Sequence, residues 1–159
     1  MIGFLLDTNV VSELVKSRPE PRVAGWIERA DEGRLFLSVL TLGEIRKGIA
    51  LLSDAARRGT LERWLETGLR ARFAGRVLPI DEAVADTWGV IAAAAARAGA
   101  PVPAIDGLLA ATALCYNLTL GDTQHRRRGR HGGPGAQPMG LKEDPSLSRG
   151  FRPGDAIPG

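Results

Sequence analysis

The stretch Gly3-Phe4-Leu5-Leu6-Asp7-Thr8-Asn9 joins a short apolar run directly to an acid. A four-residue apolar run is typical of a buried strand, and Asp-Thr-Asn after it is typical of a turn or a helix cap. Three further apolar runs, at residues 35–38, 77–80 and 117–120, predict three more strands. Short apolar strands that alternate with helices indicate an α/β fold, with a mostly parallel sheet of four to five short strands flanked by helices on both faces.

The segments between the strands carry apolar residues at helical spacing and predict six helices. These segments are Val10–Val15, Val23–Arg29, Thr41–Leu52, Ala55–Leu69, Asp81–Ala95 and Asp106–Tyr116. Open parallel sheets bind ligands at the carboxyl ends of their strands. Asp7 directly follows the first strand and therefore stands where a functional site is expected.

Length and composition place the chain in the class of ordinary globular proteins. Its 159 residues are 44% apolar and 25% charged, which fits a single domain with a real core. No apolar run approaches the ~20 residues of a membrane span, and the N-terminus lacks the basic region of a signal peptide. A single cysteine, Cys115, excludes an internal disulfide and a cysteine-based zinc site. We expect no membrane association, and the bacterial cytoplasm as the compartment.

The last part of the chain differs in composition from the rest. Of the 21 Lys/Arg and 18 Asp/Glu residues, seven and four lie in residues 121–159, which leaves 14 of each in residues 1–120. The segment 121–159 also holds 9 of the 20 glycines and 5 of the 10 prolines. The pattern predicts a folded domain over residues 1–120, followed by an atypical basic Gly/Pro-rich tail that is disordered.

Three acids, Asp7, Glu44 and Asp106, stand beside apolar residues that are predicted to be buried. Each one alone has a simpler interpretation. Asp7 and Asp106 could cap the helices that follow them, and Thr41-Leu42-Gly43-Glu44 fits a capping box. If the sheet brings the three together, however, they would repel one another unless a divalent cation neutralised them. Oxygen-only ligation favours Mg²⁺ or Mn²⁺ over zinc.

The residues also exclude several kinds of chemistry. Residues 1–120 contain no histidine, so neither a histidine general base nor a Ser-His-Asp triad is available there. The Gly-rich phosphate loops of P-loop and dinucleotide-binding proteins are absent as well. What remains is a metal-activated water that attacks an electrophile, and phosphodiester hydrolysis is the leading case.

Four segments in order resemble the PIN-domain endoribonucleases, and specifically the VapC-type toxins of type II toxin–antitoxin pairs. They are residues 5–14, 38–49, 78–81 and 105–113, and the resemblance covers about residues 4 to 120. It implies a PIN-like three-layer fold and Mg²⁺-dependent cleavage of RNA. Asp7 and Asp106 would be the principal metal ligands, Glu44 would complete the acidic cluster, and Thr8 or Asn9 would orient these groups. It also implies a homodimer and inhibition by a small cognate antitoxin.

The sequence departs from this family after the fourth strand. Where the family has Val-Thr-Arg-Asn and then an aspartate, this chain has Gln124 at the asparagine position and Arg127 at the aspartate position. Reading one base later from the Gly121 codon permits the family sequence, and the codons of Met139-Gly140 force a tryptophan in that frame. We therefore hypothesise a frameshifted C-terminus. The fourth acidic position would then be lost, with Asp122 as a possible substitute.

Two alternative functions follow from the tail. The first is a degenerate, catalytically impaired toxin that retains only antitoxin binding. The second is a nucleic-acid binder that uses the basic cluster Arg126–Arg130, although no aromatic residues interleave with it for base stacking.

Overall fold

The computed structural model describes residues 2–121 and contains a four-stranded parallel sheet. The strands are β1 (Gly3–Leu6), β2 (Leu35–Ser38), β3 (Val77–Leu78) and β4 (Leu118–Gly121), in the order β3-β2-β1-β4. The predicted α/β class and parallel sheet are confirmed. β3 is shorter than the predicted 77–80 segment, because the proline after it has no N–H with which to continue the ladder.

The sheet is covered by helices on both faces. Within residues 2–121 the α-helices are α1 (Thr8–Glu13), α2 (Pro21–Arg29), α3 (Val39–Ala50), α4 (Ala55–Arg63), α5 (Arg70–Arg72), α6 (Glu82–Arg97) and α7 (Ala104–Cys115). None of them is long and apolar enough to cross a membrane.

Alternation along the strands divides the core into two layers. Leu6 of β1 packs in a cluster with Leu35 and Leu37 of β2 and with buried residues of helices α1 to α4. Leu5 points to the other face, where it packs with Leu109 of α7. Because successive side chains of a strand point to opposite faces, the two clusters place helices on both sides of the sheet, which makes the predicted three layers.

Helix α3 begins earlier than predicted. Its N-cap is Ser38, whose hydroxyl accepts a hydrogen bond from Leu40 N at 3.1 Å. Thr41 lies inside the helix, and its buried hydroxyl donates to the carbonyl of Leu6 at 3.3 Å. The alternative interpretation of Glu44 as part of a capping box with Thr41 is therefore wrong, since Ser38 at the strand end supplies the cap.

Helix α7 also begins earlier than predicted, at Ala104, directly after Pro103. Asp106 is an exposed residue of its first turn and is not its cap. Pro103 is the N-cap residue, a position whose N–H has no partner within the helix, so the N–H that proline lacks is not missed there. The charge of Asp106 there is still favoured by the positive end of the helix dipole.

The predicted helix over residues 55–69 is interrupted by a π-helical segment, Trp64–Leu69, between α4 and α5. Leu61, Leu65 and Leu69 are all buried, at exact four-residue spacing. In a regular α-helix of 3.6 residues per turn this spacing would carry successive leucines gradually away from the core. The wider π turn keeps them on one face.

Most of the predicted tail lies outside the described residues. Gly121 is the exception, because it is the last residue of β4 and pairs with Leu6.

Candidate functional site

Asp7 stands at the carboxyl end of β1, where it caps helix α1. Its Oδ1 accepts a hydrogen bond from Val10 N at 2.8 Å, and its Oδ2 accepts one from Asn9 Nδ2 at 3.2 Å. Its backbone N–H donates to the carbonyl of Gly121 at 3.3 Å. The half-buried carboxylate is therefore held on both oxygens, and its backbone is tied to β4 at the end of the sheet. The capping role predicted for Asp7 is confirmed. A carboxylate that caps a helix can also bind a metal ion, because each of its oxygens accepts more than one contact.

Glu44 reaches the same end of β1 from helix α3. Its Oε2 accepts a hydrogen bond from the hydroxyl of Thr8 at 2.6 Å, a distance typical of an O–H donor bound to an ionised carboxylate. Thr41, one helical turn earlier, bonds to the last carbonyl of β1 through Leu6. Two hydrogen bonds thus fix α3 against the residues that flank Asp7, so that Thr8 links the region of Asp7 to Glu44.

The family resemblance implied that Thr8 or Asn9 orients the acids, and each of the two makes one of these hydrogen bonds. Thr8 binds Glu44 and Asn9 binds Asp7. A third hydrogen bond, from the Thr41 hydroxyl to the carbonyl of Leu6, was not predicted from the sequence. The fully buried Thr41 hydroxyl spans 35 positions of sequence to reach Leu6, and no local pattern reports such a contact.

Asp106 is placed differently from the other two acids. It is exposed in the first turn of α7, a helix that packs on the opposite face of the sheet from α3. Within residues 2–121 no group of three or more His, Cys, Asp or Glu side chains is arranged so that it could hold a metal ion. The convergence of Asp7, Glu44 and Asp106 on one ion stays a prediction.

The donor chemistry at the end of β1 nevertheless fits a hard divalent cation. Asp7 and Glu44 offer carboxylate oxygens, and Thr8 offers a hydroxyl oxygen beside them. Mg²⁺ usually keeps several waters and is held by one or two carboxylates together with its substrate, so it does not need a complete protein cage. Among residues 2–121 no histidine or cysteine belongs to this donor set, which disfavours zinc.

A narrow groove runs from these residues along the helices. It is lined at one end by Thr8, Ser12 and Glu44 and at the other by apolar side chains, including Leu61 and Trp64. Ser12 donates its hydroxyl to the carbonyl of Thr8 at 2.7 Å, which adds a further constraint on the first turn of α1. The groove therefore reaches the candidate site at Thr8 and Glu44, between α1 and α3.

The predicted fourth acidic position falls on Arg127, and its possible substitute is Asp122. Both lie outside the described residues.

Comparisons with protein families, with known sequences and with solved structures agree with one another. A family model described as PIN domain matches residues 4–128. The chain is 40% identical over 117 residues to Toxin FitB of Neisseria gonorrhoeae, covering 74% of this chain and 84% of that protein. It is 37% identical over 117 residues to VapC ribonuclease Y4jK of Sinorhizobium fredii, with the same coverage of 74% and 84%. The crystal structure of FitAcB from Neisseria gonorrhoeae matches with a TM-score of 0.70 and 39% identity, over 74% of this chain and 84% of that one.

Proposed function

The chain belongs to the PIN-domain family, among its VapC-type toxins, and from this premise we propose that it is a metal-dependent endoribonuclease that hydrolyses RNA phosphodiester bonds. Relatives named as a toxin and as a ribonuclease, each at least 37% identical, support the proposal. The observation that carries it is the pairing of two acidic segments at the carboxyl end of β1, where Thr8 donates to Glu44 and directly follows Asp7.

A divalent metal ion is the cofactor class that goes with this family, and we propose Mg²⁺, with Mn²⁺ as an alternative. Asp7 and Glu44 would hold the ion through carboxylate oxygens, and Asp106 is proposed as the third acidic residue. When bound, the ion would supply a more acidic water and neutralise charge on the phosphate. This choice follows from an oxygen-only donor set.

The chain's own residues have distinct parts in the proposed hydrolysis. Thr8 fixes the Glu44 carboxylate with a 2.6 Å hydrogen bond, and Asn9 together with Val10 N fixes that of Asp7. Carboxylates held in this way need little reorganisation when substrate arrives, which is how positioning lowers a barrier. In the reaction a water oxygen bonds to phosphorus, and the bond from phosphorus to the leaving ribose oxygen breaks.

The proposed biological setting follows from the same family. We propose that the chain forms a homodimer in the cytoplasm and is inhibited by a small cognate antitoxin. We also propose the division into a catalytic domain, residues 1–120, and a basic tail, residues 121–159, with the one change that Gly121 belongs to the domain as the last residue of β4. The frameshift of the tail remains a hypothesis that the coding DNA decides, because codons that cannot spell Val-Thr-Arg-Asn would eliminate it.

The test is cleavage of a mixed pool of structured RNAs by the purified full-length protein with Mg²⁺. We expect cleavage that is lost in EDTA and in Asp7→Asn, a substitution that keeps the helix cap because asparagine caps as well as aspartate. Cleavage that survives Asp7→Asn would contradict the proposed site. A folded protein that cleaves nothing with Mg²⁺ or Mn²⁺ would favour the impaired toxin that retains only antitoxin binding.

A further inference from the structure

A second pocket lies toward the other end of β1, and the proposed function does not use it. Its volume is about 130 Å³, and its lining combines two aromatic rings with two guanidinium groups and one carboxylate. The lining residues are Phe4, Trp26, Arg29, Ala30, Asp31 and Arg34. We will call it the Arg29–Arg34 pocket.

The aromatic wall of the pocket consists of two rings in contact, and it extends toward the acidic site. Phe4 and Trp26 meet edge to face, with ring centroids 5.2 Å apart and an angle of 88° between the planes. The far edge of the Trp26 ring lies against Gly121, where a β-carbon would stand 3.4 Å from Cη2. The carbonyl of Gly121 accepts the N–H of Asp7, so Trp26 connects the pocket with the backbone beside the candidate site.

The two guanidinium groups of the pocket are held differently. Arg34 donates from Nε to the carbonyl of Ile2 at 3.1 Å and lies 5.6 Å from the centre of the Phe4 ring, so it is fixed by the fold. Arg29 is exposed and folds back along α2, with Nη1 3.2 Å from the position of a β-carbon on Gly25. Within residues 2–121 no hydrogen bond or ion pair satisfies the Arg29 guanidinium, which leaves its donors directed to solvent or a ligand.

The carboxylate of the pocket is already engaged. Asp31 accepts a hydrogen bond from Gly33 N at 3.0 Å, where it caps the short 3₁₀ turn Glu32–Arg34. The net charge of the lining is therefore +1, in a domain whose first 120 residues are neutral overall. A local positive charge beside aromatic rings is the combination that binds a phosphate together with its base in single-stranded nucleic acid.

We propose that the Arg29–Arg34 pocket binds one phosphate of the RNA strand, with Arg29 as its main contact and the Trp26–Phe4 wall against the adjoining nucleotide. The inference rests on the proposed ribonuclease function and adds a substrate subsite to it. Phe4 lies on β1 and precedes Asp7, the residue directly after that strand, by three residues, which is about 10 Å along an extended backbone.

The experiment measures binding of a short, fluorescein-labelled single-stranded RNA of randomised sequence by fluorescence anisotropy. The parent is the full-length Asp7→Asn protein in Mg²⁺, in which cleavage should not interfere. Arg29→Gln is compared with Arg22→Gln, which removes the same charge from an exposed position of the same helix but outside the pocket. Thermal unfolding of both variants should match the parent, because neither side chain has a partner within residues 2–121.

We expect Arg29→Gln to weaken binding about fivefold at 0.1 M salt and to reduce the slope of log K against log salt by ~0.7, the contribution of one phosphate on a single strand. Arg22→Gln should leave both quantities close to the parent values. Equal losses in the two variants, or no loss in Arg29→Gln, would overturn the subsite while leaving the ribonuclease proposal intact. A wild-type protein that neither binds nor cleaves RNA would overturn both.

Discussion

The hydrogen bond between Thr8 and Glu44 can be tested with a double-mutant cycle. Thr8→Val keeps the shape of the side chain but removes the hydroxyl that donates to Glu44 at 2.6 Å, and Glu44→Ala removes the acceptor. Hydrogen bonds to charged groups contribute about 1.5–3 kcal/mol when they are buried. Since both residues are only half-buried, we expect a coupling free energy of about 1–2 kcal/mol.

The assay is urea unfolding at pH 7 of the wild-type protein, the two single variants and the double variant. The control cycle pairs Glu44→Ala with Thr67→Val. The Thr67 hydroxyl, in the π-helical segment, donates to the carbonyl of Arg63 at the end of α4 at 2.8 Å. That pair should be additive within about 0.5 kcal/mol, as expected for residues that share no partner. A coupling equally small for Thr8 and Glu44 would refute the view that this hydrogen bond positions the glutamate.

Three further predictions concern the scaffold. Burial opposes ionisation of Glu32, but hydrogen bonds and charge from Arg72 and Arg76 outweigh it and lower its pKa. Its stabilising effect is therefore full above the ordinary pKa of a glutamate and is lost as the pH falls through the lowered pKa. The urea midpoints of wild type and Glu32→Gln should differ at pH 7 and converge in acid, once the pH is below that lowered pKa; a constant gap would contradict this. Gly107→Ala should lower the free energy of unfolding in urea by about 1–3 kcal/mol, because its β-carbon would stand 3.0 Å from the ring of Trp88. Gly43→Ala has open space around it and should raise the free energy of unfolding by about 0.5–1 kcal/mol. Ser38→Ala should cost about 0.5–2 kcal/mol through loss of the α3 cap, and an unchanged unfolding midpoint would show that the cap is dispensable.

Local patterns were sufficient for the strands and for Asp7. The apolar runs around Leu5 and Phe36 are short and bounded by polar residues, and each became a parallel strand. Asp7 lies next to its strand in sequence, so its position at the strand end follows directly once the strand is recognised. These features depend only on neighbours along the chain.

The start of α3 could not be predicted in the same way, because two residues offered cap signals. Ser38 and Thr41 are both buried hydroxyl residues. The choice between them depends on β1. The Leu6 carbonyl accepts a hydrogen bond from the Thr41 hydroxyl, and Ser38 is the residue that caps the helix. The partner of Glu44 was uncertain for the same reason, since its choice between a helix cap and Thr8 depends on a contact 36 residues away.

Asp106 shows a further limit of sequence spacing. Its position in the first turn of α7 follows from Pro103, but its distance from Asp7 depends on how α7 packs across the sheet. A motif establishes that an acid is present at a helix start, whereas the tertiary packing determines which side chains it can meet. The role of Asp106 therefore needs a binding measurement.

That measurement is the binding of Mn²⁺, followed by electron paramagnetic resonance, to the wild-type protein and to Asp7→Asn, Glu44→Gln and Asp106→Asn. Asp54→Asn is the control, because Asp54 is an exposed cap of α4 and asparagine preserves a cap. If the three acids share one ion, each site variant should weaken binding at least about tenfold, or ~1.4 kcal/mol, while Asp54→Asn binds as the wild type does. Unchanged affinity in Asp7→Asn and Glu44→Gln would contradict the metal site at the end of β1, and unchanged affinity in Asp106→Asn alone would remove the third acid from it.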